Sequence, residues 1–260
     1  MEPDHWLVPD WPAPTRVRAA CSTRSGGVSA GSYASFNLGD HVADEPAAVA
    51  ENRRRFAAAL GARPVFLQQV HGTGVVRLDR GSRDGAAADA CWTGEEGIAC
   101  TIMVADCLPV LMTDRQGRVV GAAHCGWRGL AGVDGTGALE TLWSSLWPRV
   151  ASSEGAAARD MLVWLGPCIG PAAFEVGADV KAAFEAAQPD AARRFEQSAG
   201  GKWLADLPGL ARDRLQALGL VHAWGNDGSA AWCTVGNPSR FFSHRRDRVS
   251  GRFAAAIWLA

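Results

Sequence analysis

The sequence predicts a single α+β domain, a mixed α/β sandwich in which mixed sheets with antiparallel hairpins are flanked by helices. Apolar runs of strand length alternate with segments whose apolar residues recur at helical spacing. A four-residue turn at 114–117 joins two of these runs, which must therefore pair antiparallel, and this excludes a purely parallel sheet. No repeat or convincing linker divides the chain, so we assign residues 1–260 to one domain.

The first predicted elements are a loop, a helix and five strands. Residues 22–40 are rich in Gly and Ser and are predicted to form an ordered loop. Asp44 is a suitable N-cap and Pro46 suits a first helical turn, which predicts a helix that runs to about Leu60. Strands are predicted next at residues 65–70, 74–78, 101–105, 110–113 and 118–124.

The second half of the chain is predicted to contain three helices and two strands. Apolar residues at helical spacing predict a helix over about 135–147, which should end before Pro148 because proline lacks a backbone N–H. Residues 151–160 are polar and show no pattern. The remaining elements are predicted to be a strand at 161–165, helices near 178–188 and 208–218, and a final strand at 253–259.

Composition and charge argue against several classes of protein. The chain has 26 Lys plus Arg and 27 Asp plus Glu, a formal net charge of −1, so it lacks the basic field that binds nucleic acid or anionic membranes. No run reaches the ~18 apolar residues of a membrane helix, and the acidic, proline-interrupted N-terminus lacks a signal-peptide pattern. Seven cysteines without a Cys-x-x-Cys pair argue against a disulfide framework or zinc ribbon. We expect a cytoplasmic protein and leave its oligomeric state open.

Two histidines and one cysteine stand out by their positions at predicted strand ends. His71 and His124 each lie where a strand meets a glycine, and Cys107 stands just ahead of Pro109. If the three side chains meet, they leave a fourth tetrahedral position open, as in a catalytic metal site. Asp106 would then orient a ligand or cap the backbone. The alternatives are three ordinary strand-end residues, or a Cys107 nucleophile with His124 as its base.

Arginines near the final strand suggest an anion site. Residues 241–248 form a strongly basic segment that contains Arg245. Together with Arg24 in the Gly/Ser loop and Arg128 after His124, this segment is predicted to form an anion pocket, because forked guanidinium donors suit phosphate. The alternative is a solvated surface with extended arginine side chains.

Several short motifs occur in an order that resembles a known family. They are Phe-Asn-Leu-Gly at 36–39, Gln-Val-His-Gly at 69–72, Asp-Ala at 89–90, Ala-Asp-Cys-Leu-Pro at 105–109, His-Cys-Gly-Trp-Arg-Gly at 124–129, Gly-Pro-Cys-Ile-Gly at 166–170 and Phe-Ser-His-Arg-Arg at 242–246. This set resembles the YfiH family, whose members have been called laccase-domain or polyphenol-oxidase proteins and are now described as zinc-dependent purine nucleoside phosphorylases. The resemblance extends from about Thr23 to the C-terminus.

The resemblance implies a function and a ligand set. It implies an α/β sandwich and a zinc ion bound by His71, Cys107 and His124. It also implies phosphate-dependent cleavage of adenosine, inosine and guanosine, with adenosine deaminase and methylthioadenosine phosphorylase side activities. The partners would be purine nucleosides and phosphate. Cys125 and His244 depart from the family pattern, which often has a small residue and an aromatic residue at these positions.

Three other functions are compatible with parts of the sequence. A copper-dependent, laccase-like polyphenol oxidase would use the same three ligands, since copper competes well for such sites in vitro. Oxygen reduction needs further copper ligands, however, and the other histidines are scattered at positions 5, 41, 222 and 244. A hydrolase that edits peptidoglycan precursors would use Cys107 as nucleophile or the metal as activator. A purely structural zinc would require a fourth ligand, which these motifs do not supply.

Overall fold

Two large β-sheets form the centre of the protein. The computed structural model describes residues 5–151 and 153–260. A four-stranded sheet has the order β1–β13–β5–β2, with its strands at β1 (Val17–Cys21), β2 (Arg63–Phe66), β5 (Ile98–Val104) and β13 (Phe253–Leu259). A six-stranded sheet has the order β12–β8–β6–β7–β4–β3, with its strands at β3 (Val75–Arg77), β4 (Ala90–Thr93), β6 (Leu108–Asp114), β7 (Val120–Cys125), β8 (Met161–Leu165) and β12 (Ala223–Gly225). Both sheets contain parallel and antiparallel pairs.

The helices and a small third sheet lie outside this pair. The small sheet contains β9 (Glu175–Val176), β10 (Phe195–Gln197) and β11 (Trp203–Ala205). The helices are α1 (Pro46–Leu60), α2 (Trp127–Ala131), α3 (Ala138–Val150), α4 (Glu154–Asp160), α5 (Ala178–Ala187), α6 (Leu207–Ala217) and α7 (His244–Asp247).

The layers pack as helix, sheet, sheet and helix. Side chains alternate across each strand, so in β13 Phe253, Ala255 and Ile257 face the other large sheet while Ala254 and Ala256 face α1. Helices α3 and α6 cover the opposite face of the six-stranded sheet. Because both sheets are covered on both faces, their strands appear in the sequence as continuous apolar runs.

The structure confirms the predicted α+β fold with mixed sheets, and the turn at 114–117 does join an antiparallel hairpin. In that hairpin β6 and β7 pair with Val110 opposite Ala123, and the turn closes with a hydrogen bond from Gly117 N to Asp114 O. The strands at 161–165 and 253–259 are confirmed, and the helices near 178–188 and 208–218 are confirmed to within a residue at each end.

Several predicted boundaries are wrong. The strand expected over 65–70 ends at Phe66, because Asp84 binds the N–H of Phe66 and the chain then leaves the sheet. Glu45, and not Asp44, is the N-cap of α1; the Asp44 carboxylate instead accepts hydrogen bonds from Ser29 and Asn37. Helix α3 continues through Pro148 to Val150, because one missing backbone donor in the last turn is tolerated.

Other elements were not predicted at all. Helix α4 occupies most of the stretch that showed no pattern, and part of the basic segment before the last strand forms the short helix α7. Strands β1, β4 and β12 and the small sheet are too short or too polar at their ends to give a strand pattern. None of the helices within the described residues is long and apolar enough to cross a membrane. The prediction about the N-terminal sequence concerns, in part, residues 1–4, which lie outside the described residues.

Candidate metal centre

Three strand ends bring the predicted ligands to one edge of the six-stranded sheet. Leu108 pairs with Cys125 at the open end of the β6–β7 hairpin, so Cys107 and His124 lie beside each other. Strand β4 pairs antiparallel with β7 and begins at the same edge. The loop between β2 and β3 carries His71 to this edge, because β3 runs parallel to β4. Residues far apart in the chain therefore meet in space.

One group of metal-binding side chains forms there. Ligand atoms of His71, Cys107 and His124 all lie within 4.8 Å of one another, and the distance between Cys107 Sγ and His71 Nε2 is 3.9 Å. The two imidazole rings meet edge to face, with centroids 4.7 Å apart. Within residues 5–151 and 153–260 this is the one group of three or more such side chains.

The donor set fits a divalent metal such as zinc. Zinc bonds of about 2.0–2.1 Å to nitrogen and about 2.3 Å to sulfur imply a nitrogen–sulfur separation of roughly 3.5 Å in a tetrahedron. The observed 3.9 Å differs from this separation by a few tenths of an ångström. His124 is 3% exposed, Cys107 is half-buried and His71 is exposed, so the cluster opens to one side. The three side chains could hold a metal ion with one position free.

The Asp89 carboxylate fixes two of the three ligands. Its Oδ1 lies 2.8 Å from His124 Nδ1, which leaves Nε2 of that ring to face the cluster. The same carboxylate accepts hydrogen bonds from the backbone N–H groups of Val70, His71 and Gly72 at 3.2, 2.9 and 2.6 Å. Asp89 therefore orients both the ring of one ligand and the loop of another. His71 has a φ of 60°, a conformation that these bonds stabilise.

The pKa of its thiol distinguishes Cys107 from the fully buried cysteines. Burial raises the pKa of Cys107, but the charge of His124 and hydrogen bonds from both histidines outweigh burial and lower that pKa to about 6. Burial lowers the pKa of His124, but the Cys107 thiolate and Asp89 raise it to about 9. Burial raises the pKa of other thiols, including Cys125. Cys107 is therefore prepared to be a thiolate, the form that binds metals.

Asp106 caps a backbone N–H group, which is one of the two roles predicted for it. Its Oδ1 accepts a hydrogen bond from the Thr234 hydroxyl and its Oδ2 accepts one from the Arg245 N–H, both at 2.6 Å. The carbonyl of Asp106 accepts a third from Ile169 N–H at 2.9 Å. Asp106 thereby joins the ligand segment before β6 to helix α7, to the loop that contains Thr234 and to the loop after β8.

A cavity of about 420 Å³ surrounds the cluster. His71, Cys107 and His124 line it, together with two of the predicted arginines, Arg128 and Arg245. Apolar walls come from Ile169, Phe174 and Leu207. A cavity of this size that combines apolar walls with convergent polar groups is typical of a small-molecule site.

Arg24, the third arginine of the predicted anion pocket, is not among the residues that line this cavity. Its guanidinium donates to the carbonyl oxygens of Ala34 and Pro238 and stacks on the ring of Phe242. It borders a separate hollow beside Arg246. Arg24 therefore holds the Gly/Ser loop in place through these backbone carbonyls.

The structure adds residues that had no individual role predicted from sequence. Asp89 binds His124 and does not itself line the cavity. Arg248 and Arg252 line the cavity, and so do His41 and His244. The run of arginines after Ser243 was the only available sign of Arg248. Nothing in the sequence indicates that Arg252 at the start of β13 and His41 in the N-terminal loop would meet.

Replacing Gly126 with alanine is expected to weaken metal binding about 10–100-fold, as loss of a supporting contact does. A Cβ at this position would lie 2.9 Å from Cys107 Sγ and 3.1 Å from His71 Cδ2, so the ligands must move apart. Chelator competition measures the affinity. Gly155→Ala is the matched control, because a Cβ there meets nothing within 4 Å. Equal affinities for the two variants would contradict the prediction.

Comparison with known proteins gives a consistent set of relatives. Residues 18–260 match the family model described as multi-copper polyphenol oxidoreductase laccase. The chain is 51% identical over 255 residues to purine nucleoside phosphorylase PA4543 of Pseudomonas aeruginosa, with 98% of each chain covered. It is 45% identical over 255 residues to purine nucleoside phosphorylase YfiH of Escherichia coli, with 97% of this chain and 98% of the relative covered.

Solved structures agree with these sequence relationships. Protein NMB0706 of Neisseria meningitidis superposes with a TM-score of 0.87 at 42% identity, with 98% of this chain and 99% of the other covered. YlmD of Geobacillus stearothermophilus superposes with a TM-score of 0.87 at 31% identity, with 100% and 97% covered.

Proposed function

The chain belongs to the YfiH family of laccase-domain proteins, and we propose that it cleaves purine nucleosides with inorganic phosphate to give the free base and ribose 1-phosphate. Relatives named purine nucleoside phosphorylase support this type of reaction. The proposal covers adenosine, inosine and guanosine. It extends to deamination of adenosine and phosphorolysis of methylthioadenosine, which the family resemblance implies.

The observation that carries the proposal is one cavity that contains both a three-ligand cluster and several arginines. His71, Cys107 and His124 would hold a zinc ion, and copper also suits this donor set in vitro. When bound, the metal would supply a Lewis acid with an open position. Phosphorolysis needs cationic groups beside such a centre, and Arg245 and Arg252 lie in the same cavity.

The arginines would bind and aim the phosphate. Arg245 uses Nη1 to bind the carbonyls of Ala173 and Glu175, and Arg252 uses Nη1 to bind those of Ser250 and Gly251. Each guanidinium is thereby held in place, and within the described residues its remaining N–H groups have no protein partner. Fixed, forked donors suit a phosphate and aim one of its oxygens.

The reaction then requires an exchange of bonds at the sugar. A phosphate oxygen forms a bond to C1′ while the bond from C1′ to the purine nitrogen breaks. The electron pair leaves with the purine, which takes up a proton. The apolar side chains of Ile169, Phe174 and Leu207 would hold the base and exclude water from the sugar, so that phosphate rather than water attacks.

Replacing Arg245 with alanine is expected to raise the KM for phosphate about 10–100-fold and to change the KM for inosine much less, since charge-assisted hydrogen bonds are lost. Steady-state kinetics with each substrate varied in turn measures the two values. Arg115→Ala is the control, because Arg115 is exposed in the turn at the far end of the β6–β7 hairpin. A larger effect on the KM for inosine would contradict this role.

The deciding experiment incubates the metal-loaded protein with inosine or adenosine, with and without phosphate. Free purine and ribose 1-phosphate should appear only when phosphate is present. Formation of ribose instead would indicate hydrolysis. The absence of any free purine from the common nucleosides would overturn the proposal.

The description of the matching family model favours a second candidate, a copper-dependent polyphenol oxidase. His41 and His244 lie in the same cavity but outside the cluster, and the described residues form one group of three ligands only. Oxygen consumption by the copper-loaded protein with a phenol, in the absence of nucleoside cleavage, would support this alternative.

We also propose that the protein acts in the cytoplasm. All seven cysteines are free, although Cys168 and Cys233 pair as neighbours across a β-bridge. Free thiols in such positions are typical of a reducing compartment.

A further inference from the structure

The cavity carries more cationic charge than one inorganic phosphate requires. Four arginines line it, at positions 128, 245, 248 and 252. The one carboxylate among its lining residues is that of Asp106, and both of its oxygens already accept hydrogen bonds. A phosphate near pH 7 carries between one and two negative charges. The four arginines and the one carboxylate together carry a net charge of about +3, which one phosphate does not balance.

The four arginines fall into two pairs. Arg245 and Arg252 are half-buried and bound to backbone carbonyls, as described above. Arg128 and Arg248 are exposed, and within the described residues neither guanidinium makes a hydrogen bond. Arg128 stacks on the ring of Trp127, with its Cζ 4.5 Å from the ring centroid, which leaves its N–H groups available. The exposed pair has donors that face solvent and that no protein group occupies within the described residues, so they are available to a ligand.

Arg248 has a strained backbone conformation, which lowers the stability of the fold. Its φ of 62° and ψ of −55° are those of a classic γ-turn, which a hydrogen bond of 2.6 Å from Val249 N to Asp247 O closes. Four non-glycine residues in the described part of the chain have positive φ, and three of them, His71, Asp106 and Arg248, line the cavity. Each strained residue lowers the stability of the fold by about 1–3 kcal/mol, and such residues concentrate at functional sites, where the surrounding structure holds them in place.

We propose that Arg248, together with Arg128, forms a second anion subsite that binds the 5′-phosphate of a purine nucleoside 5′-monophosphate. This inference rests on the proposed phosphorolysis. In a β-nucleoside the 5′ substituent and the base lie on one face of the ribose, and the attacking phosphate approaches C1′ from the other face. A 5′-phosphate and inorganic phosphate would therefore occupy different places in the cavity, the first beside the exposed arginines and the second beside the half-buried pair. The same exchange of bonds would convert the monophosphate to free purine and ribose 1,5-bisphosphate.

The test compares inosine with inosine 5′-monophosphate. Because the metal-loaded protein is proposed to consume both compounds, the KM for each is measured from initial rates in saturating inorganic phosphate and serves as the measure of affinity. We expect the monophosphate to bind about 10–100-fold more tightly, which is the contribution of one or two charge-assisted hydrogen bonds. The advantage should decrease as salt is added, because the exposed arginines are screened.

Variants at Arg248 separate this subsite from an effect on folding. Arg248→Gly removes the guanidinium and relieves the positive φ, so its melting temperature should not fall. The ratio of the two affinities should approach one in this variant and stay unchanged in Arg115→Ala. An advantage that survives in Arg248→Gly would overturn the assignment of the subsite to Arg248.

Three further outcomes are decisive. If the monophosphate competes with inorganic phosphate, its phosphate occupies the Arg245 and Arg252 pair, and the second subsite is wrong. If inosine is cleaved but the monophosphate has no advantage, the subsite is wrong and the proposed function remains. If no purine nucleoside is cleaved, the proposed function itself fails.

Discussion

Replacing Cys107 with alanine is expected to abolish metal binding and nucleoside cleavage together. Cys107 supplies the one sulfur among the three ligand atoms, and its lowered pKa shows that the site favours the thiolate. Loss of a partner outside the ligand set already costs about 10–100-fold in metal affinity, so loss of a ligand should cost more than a hundredfold. Metal analysis of the purified variant and the phosphorolysis assay measure the two effects.

The same variant tests the alternative in which Cys107 is a nucleophile. A nucleophile predicts that Cys107→Ala keeps its metal and loses turnover, and that the wild-type protein accumulates a covalent adduct visible by mass spectrometry. Cys125→Ala is the matched control, because Cys125 is fully buried and its side chain packs in the core beneath the helices. This control should keep its metal.

Replacing Asp89 with asparagine is expected to weaken metal binding about 10–100-fold and to destabilise the fold as well. The carboxylate is buried and accepts hydrogen bonds from His124 and from three backbone N–H groups. An amide has one acceptor oxygen and would turn an NH2 group towards donors. Each buried N–H left without a partner costs about 1–3 kcal/mol.

Asp114→Asn provides the comparison for Asp89→Asn. Asp114 is also fully buried in the six-stranded sheet and also holds a turn, through hydrogen bonds from Gln116, Arg118 and Val119. It lies at the end of the hairpin away from the ligands. Urea denaturation should show both variants to be less stable, while chelator competition should show weaker metal binding only for Asp89→Asn. Equal metal affinities in the two variants would contradict the positioning role.

The sequence was sufficient to predict elements whose pattern is local. The β6–β7 hairpin has a turn with a glycine and two apolar runs. In the structure the two runs are paired strands and the glycine has the positive φ of a turn. Strand β2 was predicted too long because the bonds that end it come from Asp84 and Met103, which lie far along the chain. Strand β4 was missed because it has only four residues and is stabilised by its neighbours.

The same limit applies to the candidate site, where the ligands could be predicted from local sequence but their supporting contacts could not. His71, Cys107 and His124 were identifiable because each stands where a predicted strand meets a glycine or a proline, although His71 in fact lies in the loop between β2 and β3. The structure assigns Asp89, and not Asp106, to the orientation of His124, since the pairing of β4 with β7 decides which carboxylate faces the ring. Arg24 and Arg248 could not be distinguished by sequence, because both are arginines in loops and only tertiary contacts show which one reaches the cavity.

The position of β13 has a consequence for folding. This strand is fully buried between β1 and β5, and Leu259 pairs with Val17 near the opposite end of the chain. During synthesis, which proceeds from the N-terminus at about 5–20 residues per second, β1 therefore has no partner in its sheet until residues 253–259 have left the ribosome. Until then β1 has no partner in this sheet, and β5 is paired only with β2. Such long-range pairing slows folding.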